Sequence, residues 1–212
     1  MTLQNAHLVV PPAPRGRIVV VHENRGLEDH IRDVANRLAA LGYAVAAPDY
    51  LSPVGCSSAD FDDNIERLKG VTRDDVASIT AHWLSVLGEI APDTKSAVLG
   101  FCWGGGVVNH CATVLEDMSA GVMFYGTAPA AENIPQIKAS LQLHYAENDD
   151  RINAGREAYL AALSEAGVTH QAHIYTGAGH AFFNDTRADR HHAPSAALAF
   201  ERVSAFLKEQ LG

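Results

Sequence analysis

Apolar positions along the chain follow two alternating rhythms. Short apolar runs occupy 18–21, 43–47, 97–99 and 121–125, and apolar residues interleave with polar ones over 141–145 and 169–175, each segment followed closely by glycine, proline or polar residues. Runs of that length, rich in Val, Ile, Phe and Tyr, predict buried strands. Between them, apolar residues return every third or fourth position. Ile31, Val34, Leu38 and Leu41 predict one helix, with Asp29 placed to cap it and Gly42 to end it. Val76, Ile79, Trp83, Leu84 and Leu87 predict a second, closed by Gly88 and Pro92. Further helices are expected over 107–114, 154–166 and 195–211. Residues 7–10 read as a short edge strand, because Pro11-Pro12-Ala13-Pro14 cannot continue a ladder. Residues 51–63 carry no period and read as a loop.

Strands and helices that alternate in this way predict an α/β fold: a doubly wound, mostly parallel sheet with helices on both faces, in three layers. No repeat, linker or low-complexity stretch divides the 212 residues, so one domain over 1–212 is expected.

Composition narrows the classes of partner. With 47% hydrophobic residues the chain can bury a sizeable core. Sixteen basic against 25 acidic residues give a formal net charge of −9, which argues against a nucleic-acid groove or an anionic membrane as partner. A few local arginines can still hold an anionic small molecule. The first seven residues lack a basic, apolar leader pattern, and no run approaches the ~20 apolar residues of a membrane span. Three cysteines, an odd number without metal-ligand spacing, imply free thiols in a reducing compartment, here the cytoplasm. No cofactor and no metal are expected.

Chemistry concentrates at Gly100-Phe101-Cys102-Trp103-Gly104-Gly105. An apolar run, a residue flanked by glycines and then a helical segment make the strand-turn-helix pattern of a nucleophile elbow, with sulfur in place of oxygen. The glycines are expected for steric reasons, since a Cβ would strike the adjacent strand and helix. The helix start also predicts stabilisation of a thiolate. A cysteine nucleophile needs a base, and the base needs an orienting group. Two later strand ends supply candidates in the order acid, then base. They are Asp149 in the turn after 141–145 and His180 in Gly-Ala-Gly-His-Ala-Phe after 169–175. An oxyanion hole takes one N–H from the residue after the nucleophile and one from the loop after an early strand, here Trp103 and Asn24.

These three motifs, with His22-Glu23-Asn24-Arg25-Gly26 after the first long strand, resemble the dienelactone hydrolase family over nearly the whole chain. The resemblance implies an α/β-hydrolase fold, a Cys102-His180-Asp149 triad, and cleavage of an ester or lactone of a small molecule through a thioester. It implies that Glu23 interacts with the resting thiol and that the Asn24 and Trp103 amides form the oxyanion hole. Arg25, Tyr125 and Phe182 are then candidates for the substrate pocket. The family's carboxylate-binding arginines would fall near Ser52-Pro53 and at Asn184, neither of which is basic. Arg25, Arg187 and Arg190 are the available substitutes.

Other readings predict different features. A redox or sensing thiol would want a resolving cysteine, and Cys111 is the nearest. A dinucleotide site would need Gly-x-Gly-x-x-Gly after the first strand, where Glu23-Asn24-Arg25-Gly26 stands. A metal hydrolase would want His-Glu-x-x-His, which does not occur.

Overall fold

The structure, a computed structural model, describes residues 5–212. Seven strands, β1 (Ala6–Val9), β2 (Arg17–Val21), β3 (Ala44–Pro48), β4 (Ser96–Phe101), β5 (Ala120–Phe124), β6 (Ser140–Asn148) and β7 (His170–Gly179), form one sheet. Their order is β1-β3-β2-β4-β5-β6-β7. β1 runs antiparallel to β3 and every other neighbour pair is parallel. All parallel strands therefore end on one side of the molecule, and loops that need to converge can do so there.

Helices cover both faces, as the alternation predicts. On one face α1 (Asp29–Ala40) and α7 (Ala193–Leu211) bury Ile31, Val34, Leu38, Val203, Phe206 and Leu207 against the sheet. On the other, α3 (Arg73–Ile90), α4 (Trp103–Val114) and α6 (Arg156–Glu165) bury Val76, Ile79, Val108, Cys111 and Leu163. Central strands contribute to both clusters: Ile18 and Val20 face one, Val19 and Val21 the other, all fully buried. A strand buried on both faces reads as an unbroken apolar run, which is why these strands stand out in the sequence.

Several boundaries differ from the expected ones. Glu28, not Asp29, is the N-cap of α1, and no side chain caps that end. α3 runs through Gly88 to Ile90; its stop is Ala91, which leaves helical geometry ahead of Pro92 as a pre-proline residue tends to. α2 (Phe61–Leu68) forms within and beyond the stretch expected to be loop, because the Asp60 carboxylate accepts from the Asp62 and Asp63 amides and starts a helix. A four-residue helix, α5 (Asp150–Asn153), follows β6. α4 starts at Trp103, so Gly104, Gly105 and Gly106 lie inside the helix rather than before it. β6 and β7 continue past Tyr145 and Tyr175, pairing through to Asn148 and Gly179 with a register shift between Ala146 and Asn148. That extension is held by backbone and by the Glu147 carboxylate, which accepts from the Gly177 amide at 2.7 Å. It leaves no apolar pattern to read. Among the described residues no helix is long and apolar enough to cross a membrane.

Candidate active site

Four strand ends meet around Cys102. The cysteine follows β4 and caps α4 with φ 55 and ψ −113, a conformation that side chains rarely adopt. Such a residue costs on the order of 1–3 kcal/mol and persists only where its surroundings fix it. Here the Cys102 amide donates to the Phe124 carbonyl at the end of β5 (3.0 Å). The glycines beside it have the expected steric cause. A Cβ on Gly104 would lie 2.5 Å from the His22 carbonyl oxygen, and one on Gly105 would lie 2.7 Å from that of Phe124. α4 is thus seated directly on the ends of β2 and β5, with the sulfur turned toward the β7 loop.

His180 follows β7 and Asp149 follows β6. The imidazole Nδ1 stands 2.5 Å from Asp149 Oδ2, and Nε2 stands 3.1 Å from Cys102 Sγ. A carboxylate only accepts, so Nδ1 carries the proton and Nε2 is left free to accept one. Asp149 is buried and His180 about one quarter exposed, which shelters the acid and keeps the base open to the cavity. Ala181, next to His180, has φ 65, and Tyr125, after β5, has φ 37. With Cys102, three of the five non-glycine residues of positive φ among the described residues border this one site.

The thiol is not a resting thiolate. Burial pushes the Cys102 pKa up to about 11, with Glu23 raising it further, against the lowering effects of the Trp103 amide and Arg151. The amide at the helix start lowers the pKa in the expected direction, and burial outweighs it. His180 Nε2 is the acceptor that stands within proton-transfer distance of the sulfur.

The loop after β2 is fixed from below by His22, which is completely buried. Its Nε2 accepts from the Tyr50 amide (3.0 Å), so Nδ1 carries the hydrogen and donates to the Glu23 carbonyl (2.6 Å). The Trp103 indole stacks on the same ring at 5.6 Å and 19°. One histidine thus ties together the two segments that carry Asn24 and Trp103. Sequence reading missed this link; a lone histidine after a strand gives no sign of what will stack on it.

Glu23 is almost fully buried. Asn184 Nδ2 donates to its Oε2 at 2.9 Å and the Tyr125 hydroxyl donates to Oε1 at 3.4 Å. Burial pushes its carboxyl up to about 7; the Asn184 bond opposes that rise and Glu28 adds to it. Near neutral pH the carboxyl therefore exchanges its proton readily.

A cavity of about 550 Å³ opens at the sulfur, lined by Glu23, Asn24, Arg25, Cys102, Arg151 and His180 together with Ala181, Arg187 and Arg190. Four of these are arginines, in a chain of net charge −9. Arg25 lies with its guanidinium 4.0 Å over the Phe61 ring, and among the described residues neither Arg25 nor Arg151 has a carboxylate at salt-bridge distance. Arg187 and Arg190 share Asp189. Arg151 was missed in the sequence; its place directly after the Asp149 turn is the one signal it offered. Two pocket candidates fall elsewhere. Phe182 is fully buried between Phe124, Tyr125 and Tyr175, because the turn at Ala181 drives it into the core. Tyr125 is buried beneath the site, its ring 5.0 Å from that of His180 and its hydroxyl on Glu23. Cys111 is buried on the opposite face of the sheet from the Cys102 packing, its Sγ 3.5 Å from Thr80 Oγ1.

Comparison with known proteins gives one consistent picture. The model of the family described as "Dienelactone hydrolase family" matches residues 5–211. A protein of Saccharolobus solfataricus, provisionally named a carboxymethylenebutenolidase, is 29% identical over 96% of this chain and 93% of its own. One of the same provisional name from Yersinia pestis is 31% identical over 88% of this chain and 75% of its own. The crystal structure of a protein from Klebsiella pneumoniae, provisionally described as a dienelactone hydrolase, superposes with a TM-score of 0.84. It shares 26% identity and covers 92% of this chain and 87% of its own.

Proposed function

The chain belongs to the dienelactone hydrolase family, and from that premise we propose that it hydrolyses an anionic ester or lactone through Cys102, His180 and Asp149. The observation that carries the reading is the continuous line Cys102 Sγ, His180 Nε2, His180 Nδ1, Asp149 Oδ2, at 3.1 and 2.5 Å. The reading takes these as nucleophile, base and orienting acid, and the distances support it because they are within proton-transfer reach.

The Cys102 proton passes to His180 Nε2, and the thiolate forms a bond to the carbonyl carbon. The negative charge that develops on the carbonyl oxygen is met by the Asn24 and Trp103 amides. Collapse breaks the C–O bond, and the leaving alkoxide takes the proton from His180. His180 then accepts a proton from water as the water oxygen attacks the thioester. The C–S bond breaks, the acid departs, and the thiolate recovers the proton from His180. Asp149 holds the imidazole with Nε2 toward the sulfur throughout. Esters and lactones suit this site better than amides, because an amine is expelled less readily than the thiolate from the tetrahedral intermediate.

Arg187 and Arg190 share Asp189, which leaves Arg25 and Arg151 as the cavity's cations without a carboxylate at salt-bridge distance among the described residues, and these support an anionic substrate. They stand apart from the positions near Ser52-Pro53 and at Asn184 where the family's pattern would put arginines. The test is hydrolysis of para-nitrophenyl acetate and butyrate, a simple lactone and dienelactone by the native protein and by Cys102→Ala. Turnover that vanishes in the variant supports the reading; hydrolysis retained by the variant overturns it.

A further inference from the structure

The two edges of the sheet are finished differently. β1 is four residues long, and Pro11 and Pro12 follow it after Val10. Shortness and proline are common devices that keep a further strand from adding to an edge. β7, at the other end of the strand order, is ten residues long. No Asp, Glu, Lys, Arg or Pro stands in it from His170 to Gly179. Its pairing with β6 runs without interruption from His170 to Tyr175, and the register shift comes only after that.

The ladder fixes where the β7 backbone groups point. The Leu141 amide of β6 donates to the Thr169 carbonyl at 2.9 Å, so the N–H and C=O groups of Thr169, Gln171, His173 and Tyr175 turn toward β6. Those of Ala172 and Ile174 alternate with them and turn outward. Among the described residues neither outward pair has a hydrogen-bond partner. The side chains of both residues are exposed as well. Ile174, at 50%, is the most exposed large apolar side chain among the described residues. Open backbone groups and an exposed apolar side chain therefore fall on one short segment.

Charge points to the occupant. With a net charge of −9, a copy of this chain is repelled on most approaches. β7 offers a strip without a carboxylate or a permanent cation, and burial keeps His173 below the ordinary histidine pKa. The segment is also self-complementary. Turned about a two-fold axis, it sets Ala172 of one copy opposite Ile174 of the other, twice. Each such pair exchanges N–H and C=O in both directions, and the small Ala172 leaves room for the larger side chain across from it.

We propose that β7 is a self-association surface, on which two copies of this chain pair their β7 strands antiparallel and join their sheets into one. The contact is isologous and closes at two copies. Ala172 and Ile174 are not among the residues that line the Cys102 cavity, so the proposal stands apart from the hydrolase reading.

The experiment is sedimentation velocity on the intact protein from about 1 µM to about 1 mM. The native protein should pass from monomer to dimer within that range. Ile174→Lys sets like charges close together across the two-fold axis, and Ala172→Pro removes an outward N–H without touching the bonds to β6. Each should raise the dimer dissociation constant about tenfold or more. Leu8→Lys, the same kind of change on the β1 edge, should leave it unmoved. Circular dichroism identifies a variant that has failed to fold, and the other β7 variant then decides. A native protein monomeric throughout overturns the proposal and leaves the edge to an extended segment of another protein. A dimer unmoved by the folded β7 variants, or one lost in Leu8→Lys, overturns it as well.

Discussion

Two cysteines at one helix, nine residues apart, are both largely buried and differ in what surrounds them. Cys102 caps the start of α4 and Cys111 lies in its third turn. Burial pushes both thiols up to about 11, so neither is marked out by its resting pKa. Their neighbours differ. Cys111 meets the Thr80 hydroxyl at 3.5 Å inside an apolar cluster of Val107, Val108 and Ala112. Cys102 meets an imidazole nitrogen at 3.1 Å whose partner nitrogen is held by a carboxylate. An imidazole in line with the sulfur, itself held by a carboxylate, is the difference on which the proposed reading rests. Low pKa at a helix start is a poorer guide, because the same burial that shapes the site cancels it.

Breaking that difference at its centre should have the largest effect. Cys102→Ala removes the nucleophile and should lower turnover on activated esters by about a thousandfold or more, read by steady-state release of nitrophenolate. Asp149→Asn and His180→Gln keep the sulfur and remove its activation; each should cost about 10²–10⁴ in kcat/KM, the usual worth of a positioned general base.

Glu23→Gln is a smaller change with a pH signature. The folded carboxyl is raised from its ordinary 4.5 to about 7, so its stabilising contribution is present below 4.5 and is lost as pH rises through about 7. The native protein should therefore lose stability relative to Glu23→Gln between about pH 5 and about pH 8, by on the order of 3 kcal/mol at most. Urea denaturation of both proteins at the two pH values measures it, and parallel curves would contradict the buried, proton-exchanging carboxyl. Cys111→Ala should be the mildest. It leaves kcat/KM within about twofold and costs roughly 1–2 kcal/mol of stability for the small cavity it opens.

The parts legible in the sequence are those a single constraint dictates. β2 and β4 are buried on both faces and are apolar over 18–21 and 97–99; Gly104 and Gly105 must lack a Cβ because strand ends press on α4. The order of Cys102, Asp149 and His180 follows from where parallel strands end. What stayed hidden depends on encounters between distant segments. Phe182 looks like a pocket residue beside His180 until the positive φ of Ala181 turns it into the core. Arg151 is an ordinary surface arginine in sequence, and only the convergence of the β6 and β7 loops brings it to one cavity with Arg187 and Arg190. α2 was concealed by a loop-like composition that a single capping aspartate overrides. The link from Tyr50 through His22 to Trp103 spans three segments and leaves no periodic trace.

The most direct test of the account is the rate at which iodoacetamide alkylates Cys102 in the native protein and in His180→Gln, with the modified peptide located by mass spectrometry. The account predicts that Cys102 reacts ahead of Cys111 in the native protein and that its rate falls by about a hundredfold or more at neutral pH in the variant, because His180 is what draws off the proton. Equal rates in the two proteins would contradict it, since the thiol would then owe its reactivity to something other than the base beside it.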